Sequence, residues 1–231
     1  MKILALDSSG LVASAAYLVD GVMVAEYTVN DKLTHSQTLL PMLDVMRKQV
    51  GFELTELDAV AAAMGPGSFT GLRIGAATVK GLGLALDKPV IPVPSVDGLA
   101  FQLYGAQGII CPIMDARRNQ VYTGFYRFER GQFKVIKEQC AQSMQDTLDQ
   151  LADFEDTVIF LGDGVPVHRK TISEQLGEKA FLLLNLRGGR EPVQWGHWPV
   201  SITNRESLSR QMILSLNIYE SPRLKGKEKN G

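Results

Sequence analysis

Cysteines and long apolar runs are scarce in this sequence. Of its 231 residues only Cys111 and Cys140 are cysteines, which are too few for a disulfide framework or a cysteine-rich metal site. No apolar run approaches the roughly 18 residues that a membrane-spanning helix needs. Asp7 interrupts the first apolar run too early for a secretory signal peptide. We therefore expect a cytoplasmic protein that does not contact a membrane.

The sequence also lacks an excess of charge of either sign. It holds 24 lysines and arginines and 25 aspartates and glutamates, for a formal net charge of −1. No global field therefore attracts nucleic acid or an anionic membrane. Apolar residues make up 45% of the chain, enough to bury a sizeable core. Basic residues concentrate only at the C-terminal end, which we interpret as a solvated tail.

The apolar residues form two halves with the same order of elements. In each half, three strand-like runs precede a helical pattern, a further strand, a glycine turn and a second helix. Asp7 and Asp115 hold matching positions after the first strand of each half. This order predicts an α/β protein with a duplicated β-β-β-α-β-α unit. We assign residues 1–105 to the first domain, 106–181 to a smaller second domain and 182–231 to an atypical tail.

The stretch from Gly65 to Gly75 is the most distinctive in the chain. It ends a buried strand in a tight turn and begins a helix. Gly71, Gly75 and Val79 share one face of that helix. A glycine inside a helix costs about 0.5–1 kcal/mol relative to alanine, so a close approach by another element should compensate. That element is either the chain's own sheet or a helix of a partner protein.

A phosphate site is the other interpretation of this stretch, because anions bind where a strand turns into a helix. The glycine spacing Gly65-x-Gly67-x-x-x-Gly71 matches neither the dinucleotide-binding pattern nor the P-loop. No lysine follows before Lys80. The spacing therefore favours close packing over nucleotide binding.

Four segments together resemble the TsaB (YeaZ) family. They are Ile3–Ser9, the segment from His35 to Pro41, the Gly65–Gly75 stretch and the segment from Asp115 to Tyr122. Their order and spacing match the family over residues 1 to about 181. The resemblance implies two duplicated RNase-H-like domains of the actin/Hsp70/sugar-kinase (ASKHA) fold, in agreement with the repeat.

The resemblance also implies a role in forming N6-threonylcarbamoyladenosine (t6A) at position 37 of tRNAs that read ANN codons. A TsaB-type protein is expected to be a non-catalytic subunit that binds and activates the homologous enzyme TsaD, and a small ATPase, TsaE, joins them. It would reach tRNA through this complex, without a cofactor of its own, and a homodimer is a further expectation. The resemblance and the glycine face together predict that the two N-terminal helices form the pairing surface. The residues we predict for this surface are Leu39, Leu40, Leu43, Met46, Gly71, Gly75 and Val79.

An ATP-dependent phosphotransferase or ATPase of the same actin-like fold is the alternative function. In such proteins two aspartate-containing hairpins and a glycine-rich segment hold the nucleotide. The corresponding residues here are Asp7, Ser8, Asp115, Gly162 and Gly164. We interpret them as a vestigial nucleotide cleft, because Arg117 and Arg118 stand where glycines and a threonine would let backbone amides approach phosphate.

Metal and hydrolase chemistry have little support in the sequence. His35 is the only histidine on its predicted helix, because the residue one turn later is Leu39. His168 and His197 lie in other segments. We therefore predict no metal site. A peptidase function has no motif behind it either, because no G-x-S-x-G nucleophile elbow is present.

The C-terminal part departs from the family pattern. The family usually ends in an alanine-rich amphipathic helix, whereas residues 182–222 hold Gly188-Gly189 and both tryptophans. Either this part has diverged or the reading frame changes between about Leu183 and Pro222, and we hypothesise the frame change. Resequencing the DNA would decide between them.

Overall fold

The computed structural model describes residues 1–10, 12–29 and 33–183. It divides into two compact units. Unit 1 is Met1–Gln102, and unit 2 begins at Leu103 and is described as far as residue 183. Almost all of the predicted tail, including the hypothesised frame change, lies outside the described residues. No helix within the described ranges is long and apolar enough to cross a membrane.

Unit 1 is a five-stranded sheet with the strand order β3-β2-β1-β4-β5. Its strands are β1 (Lys2–Asp7), β2 (Ala13–Val19), β3 (Val22–Val29), β4 (Ala59–Ala63) and β5 (Val90–Val93). Its helices are α1 (His35–Val50), α2 (Phe69–Leu86) and α3 (Ser95–Phe101). The first three strands are antiparallel, whereas β4 lies parallel to β1 and β5 lies parallel to β4.

Unit 2 repeats this topology with the strand order β10-β9-β6-β7-β8. Its strands are β6 (Ile109–Arg117), β7 (Gln120–Glu129), β8 (Gln132–Ser143), β9 (Val158–Leu161) and β10 (Ala180–Leu182), and its helices are α4 (Met144–Ala152) and α5 (Gly164–Leu176). As in unit 1, three antiparallel strands are followed by two parallel ones. The predicted duplicated α/β fold is thereby confirmed, although the sequence did not predict the short strand β10.

The helices α1 and α2 pack on one face of the sheet of unit 1. They bury apolar side chains such as Leu39 and Val79 against Leu6 and Val60 of the central strands. Helix α1 begins two residues later than the predicted Leu33, because Thr34 takes the N-cap position and its amide donates to the side chain of Gln37. The same core therefore fixes both helices and the strand β1 between them.

Candidate functional site

The turn from β4 into α2 brings the Gly65–Gly75 stretch against the loop that follows β1. A Cβ atom at Gly71 would overlap the carbonyl oxygen of Ser8, and a Cβ atom at Gly75 would overlap the Ser8 hydroxyl. A Cβ atom at Gly67 would likewise overlap the carbonyl oxygen of Ser9. Glycine is therefore required at these positions by close approach of the chain's own loop. The contacting element belongs to unit 1 but is the loop after β1, which is neither the sheet nor the partner helix that the sequence suggested.

The polar groups of this loop are engaged in hydrogen bonds within unit 1. The Ser8 hydroxyl donates to the carbonyl oxygen of Gly71 at 2.9 Å. The amide of Ser68, the N-cap residue of α2, donates to the carbonyl oxygen of Ser9 at 2.7 Å. On the α1 side, His35 Nε2 lies 2.9 Å from the carbonyl oxygen of Gly10. We call residues 7–10 the closed loop, because α1 and α2 both hold it.

Asp7 lies inside the closed loop and is only 2% exposed. Its Oδ1 atom accepts a hydrogen bond of 2.8 Å from the amide of Ser9. Burial raises the pKa of the Asp7 carboxyl, and the hydrogen bonds from Ser9 and the charge of His35 oppose this shift. The carboxylate thus serves as a local hydrogen-bond acceptor at the end of β1.

Six of the seven residues predicted for the pairing surface are buried in unit 1, and the pairing surface itself stays a prediction. Leu39, Leu43, Met46 and Val79 belong to the hydrophobic core, and Gly71 and Gly75 face the closed loop. Only Leu40 is exposed, at 54%. The helical spacing identified a real face of each helix, but the face that carries these residues points inward.

The opposite faces of α1 and α2 are exposed and carry apolar residues among polar ones. On α1, Leu40 and Val45 are exposed. On α2, exposed residues recur at helical spacing: Phe69 at 68%, Ala77, Gly81 and Leu84 at 87%. Nothing lies within 4 Å of a Cβ atom built at Gly81, so no contact in the described structure requires a glycine at this position. We call these six residues the outer face.

Sequence reasoning named only Leu40 of the outer face, because on α2 it followed the glycine spacing. Phe69, Ala77, Gly81 and Leu84 form a second stripe on α2, at intervals of eight, four and three residues. A hydrophobic stripe on each side of one helix could have been found by the same periodicity. The guanidinium carbon of Arg73 lies 3.8 Å from the centroid of the Phe69 ring.

The remaining residues of the predicted cleft divide between the two units. Asp7 and Ser8 lie in the closed loop of unit 1, whereas Asp115, Gly162 and Gly164 lie in unit 2. There, the amide of Asp115 donates to Asp163 Oδ1 at 3.0 Å. Burial raises the pKa of Asp163, the hydrogen bond from the Asp115 amide opposes this shift, and the charge of Asp115 adds to it. A single cleft formed by all five predicted residues stays a prediction.

The two histidines in the described residues, His35 in unit 1 and His168 in unit 2, have different environments. His35 contacts the closed loop in unit 1. His168 on α5 is 4% exposed, and its Nε2 atom has no hydrogen-bond partner among the described residues. Burial lowers the pKa of His168, and the charge of Asp115 opposes this shift. In the part of the chain that the structure describes, no group of three or more His, Cys, Asp or Glu side chains is placed to hold a metal ion.

Comparison with known sequences identifies related proteins. A family model described as TsaD, tRNA N6-adenosine threonylcarbamoyltransferase, matches residues 23–187. A Bacillus subtilis (strain 168) protein named tRNA threonylcarbamoyladenosine biosynthesis protein TsaB is 35% identical over 182 residues, which cover 79% of this chain and 80% of that protein. The Haemophilus influenzae protein of the same name is 35% identical over 233 residues, which cover 94% of this chain and 91% of that protein.

Comparison with solved structures gives the same fold. A Pseudomonas aeruginosa protein, described as similar to the peptidase YeaZ, matches with a TM-score of 0.64 and 29% identity, over 73% of this chain and 79% of its own. The structure of YeaZ from Pseudomonas aeruginosa matches with a TM-score of 0.55 and 33% identity, over 61% of this chain and 66% of its own.

Proposed function

This chain belongs to the TsaB (YeaZ) family, as the four sequence segments predicted, and we propose that it is a non-catalytic subunit in the biosynthesis of t6A in tRNA. In this role it binds and activates a TsaD-type enzyme that modifies position 37 of tRNAs reading ANN codons. The relatives that carry the TsaB name support the role in t6A biosynthesis. Binding and activation of the TsaD-type enzyme go beyond what these names state and are part of our proposal.

The closed loop is the observation that carries the proposal of a non-catalytic subunit. In an actin-like nucleotide-binding protein, the hairpin after the first strand presents amides, a hydroxyl and a carboxylate to phosphate and its cation. Here the Ser8 hydroxyl donates to Gly71, the carbonyl of Ser9 accepts from Ser68, and Asp7 is buried. A nucleotide could use these groups only if α2 moved away. The loop therefore favours a packing role over the alternative ATPase.

The outer face supports the proposal of a pairing surface on α1 and α2. Its six residues, Leu40, Val45, Phe69, Ala77, Gly81 and Leu84, expose apolar groups on two adjacent helices, and the cations Arg73 and Lys80 lie among them on α2. Gly81 costs α2 about 1 kcal/mol relative to alanine and gains no contact in the described structure. A helix of a partner that approached closely at Gly81 and Ala77 would offset this cost. The TsaD-type enzyme is the proposed occupant, and the homodimer would use the same face.

A reconstituted reaction tests the proposed function. It contains the TsaD-type and TsaE-type proteins of the same organism, the threonylcarbamoyl-adenylate donor and a tRNA transcript. Formation of t6A, measured by mass spectrometry of digested tRNA, should fall to background when this chain is omitted. The chain alone should neither modify tRNA nor hydrolyse ATP.

Two results would contradict the proposal. Undiminished t6A formation without the chain would remove its role as an activating subunit. ATP hydrolysis by the purified chain, lost in a Ser8→Ala variant, would favour the ATPase instead. The Val167→Arg variant serves as a control in both assays, because Val167 is an exposed apolar residue on α5, away from α1 and α2 in the chain.

A further inference from the structure

The hairpin between β6 and β7 holds two arginines in a backbone conformation that arginine rarely adopts. The φ angles are +65° at Arg117, +52° at Arg118 and +61° at Asn119. Arg117 pairs with Gln120 across the hairpin, so Arg118 and Asn119 are the two central residues of a tight turn. The register shifts between Asp115 and Arg117, so Arg117 lies at a bulge. Glycine is the usual residue at a left-handed position of either kind.

This run of three is unusual among the described residues with positive φ. Asp20 and Arg130 each stand immediately before a glycine in a hairpin, and Asp87 follows the last residue of α2 as its C-cap. In each of those cases a single non-glycine residue adopts the conformation. At the β6–β7 hairpin, two arginines and an asparagine adopt it in succession. Backbone strain of this kind persists only where the surroundings impose it, and it is often associated with function.

Within the described part of the chain, hydrogen bonds hold the backbone of the hairpin and none holds the arginine side chains. Asp115 Oδ1 accepts a hydrogen bond of 2.8 Å from the amide of Arg117, and Asp163 fixes Asp115 in turn. On the other side, the carbonyl oxygen of Asn119 accepts from the amide of Met144 at 3.2 Å. Glycine or asparagine would fit this backbone at lower cost. Arginine stands at positions 117 and 118 in their place, which suggests that the two guanidinium groups are what the hairpin presents.

Both arginines are exposed, and neither forms an ion pair with another described residue. Arg127, in the same strand pair, differs because it pairs with Asp156 at 3.2 Å. A guanidinium group donates two parallel hydrogen bonds to phosphate, which makes arginine well suited to recognise a phosphodiester backbone. A protein with no net basic charge would need such a local element to contact RNA.

We propose that Arg117 and Arg118 bind phosphate groups of the tRNA backbone. This inference rests on the proposed function, because that function brings tRNA to the complex. As exposed neighbours at one turn, the two residues would contact phosphates and read no bases. A nucleoside triphosphate offers the same phosphate chemistry, and the experiment separates the two sources.

The test compares variants that relieve the backbone strain while removing the charge. The double variant Arg117→Gly/Arg118→Asn places residues that favour left-handed conformations at both positions. The matched control is Arg130→Gly, which removes one exposed arginine from the tip of the β7–β8 hairpin of the same unit. Fluorescence anisotropy of a labelled tRNA transcript measures binding to the complex with the TsaD-type protein, between about 50 and 200 mM salt. Thermal unfolding of each variant reports its stability.

The proposal predicts that the double variant binds tRNA about tenfold more weakly than wild type. The slope of log K against log salt concentration should fall by about 1.4–1.8, for two lost phosphate contacts. Its melting temperature should be equal to or higher than that of wild type, and Arg130→Gly should bind as wild type does. A double variant that binds tRNA normally, or no more weakly than Arg130→Gly, would overturn the proposal. A double variant that loses binding of a fluorescent ATP analogue, titrated in parallel, but keeps its binding of tRNA would also overturn it.

The result remains informative if no complex with the TsaD-type protein forms. That outcome contradicts the proposed function, and the same tRNA titration is then made with the chain alone. A difference between the double variant and Arg130→Gly in that titration would still support the role of the hairpin. Equal binding of the two variants would overturn it.

Discussion

The loops that follow the first strand of each unit differ, although the two units share one topology. In unit 1 the amide of Ser9 donates to Asp7 Oδ1 at 2.8 Å, and in unit 2 the amide of Arg117 donates to Asp115 Oδ1 at the same distance. Asp7 is buried, whereas Asp115 is exposed. The two copies therefore keep the same local hydrogen bond in opposite surroundings.

The neighbouring helix accounts for this difference. Helix α2 carries Gly71 and Gly75 on the side that meets the closed loop, so its backbone lies directly against Ser8. Helix α5 has one glycine, Gly164 at its first residue, and this glycine faces the carbonyl oxygen of Ile113 within β6. The hairpin of unit 2 remains open to solvent. The comparison suggests that one copy has become a packing element and that the other still presents charged groups.

The largest expected effect breaks the close contact in unit 1. In Gly71→Ala the added Cβ atom would overlap the carbonyl oxygen of Ser8, so the free energy of unfolding of unit 1 should fall by about 2–3 kcal/mol. Gly164→Ala is the matched variant in unit 2, where the Cβ atom would lie 3.0 Å from the carbonyl oxygen of Ile113. Its cost should be smaller, about 1 kcal/mol. Urea unfolding followed by circular dichroism measures both, and equal losses would contradict the comparison.

A smaller effect of opposite sign is expected on the other side of α2. Gly81→Ala should raise the free energy of unfolding by about 0.5–1 kcal/mol, because alanine favours a helix and nothing obstructs its Cβ atom. The same urea titration measures this change. A destabilised Gly81→Ala variant would mean that Gly81 packs within the chain, and the outer face would then lose its main support.

The third prediction concerns the pH dependence of stability. Because burial raises the pKa of Asp7 above 3.8, the folded state binds this proton more tightly than the unfolded state does. The free energy of unfolding therefore falls as the pH rises from 3.8 through the raised pKa. Asp7→Asn removes this contribution, so its stability relative to wild type should increase across that window. Urea unfolding at several values between about pH 4 and 7 measures the difference, and a constant difference would refute the burial effect.

Much of the fold could be predicted from the sequence, because apolar periodicity specifies strands, helices and their order. The repeated order of elements gave the duplicated topology, and Asp7 and Asp115 proved to hold equivalent positions. The short strand β10 was missed because three residues give no periodic pattern.

The candidate site was less predictable, because spacing identifies the residues on one face of a helix but not what contacts that face. The spacing of Gly71 and Gly75 fitted the chain's own sheet or a partner helix, whereas the loop that contacts them precedes them by about 60 residues in the sequence. The left-handed backbone at Arg117 and Arg118 was not predictable either, since no glycine marks the turn.

The mass of the complex with the TsaD-type protein tests the central claim most directly. Size-exclusion chromatography with light scattering should give a 1:1 complex for wild type and for Val167→Arg. Gly81→Arg should elute separately from the partner, because a long charged side chain would enter the proposed helix contact, while its Cβ atom would meet no described atom within 4 Å. If Gly81→Arg is folded and forms the complex as wild type does, the outer face is not the pairing surface.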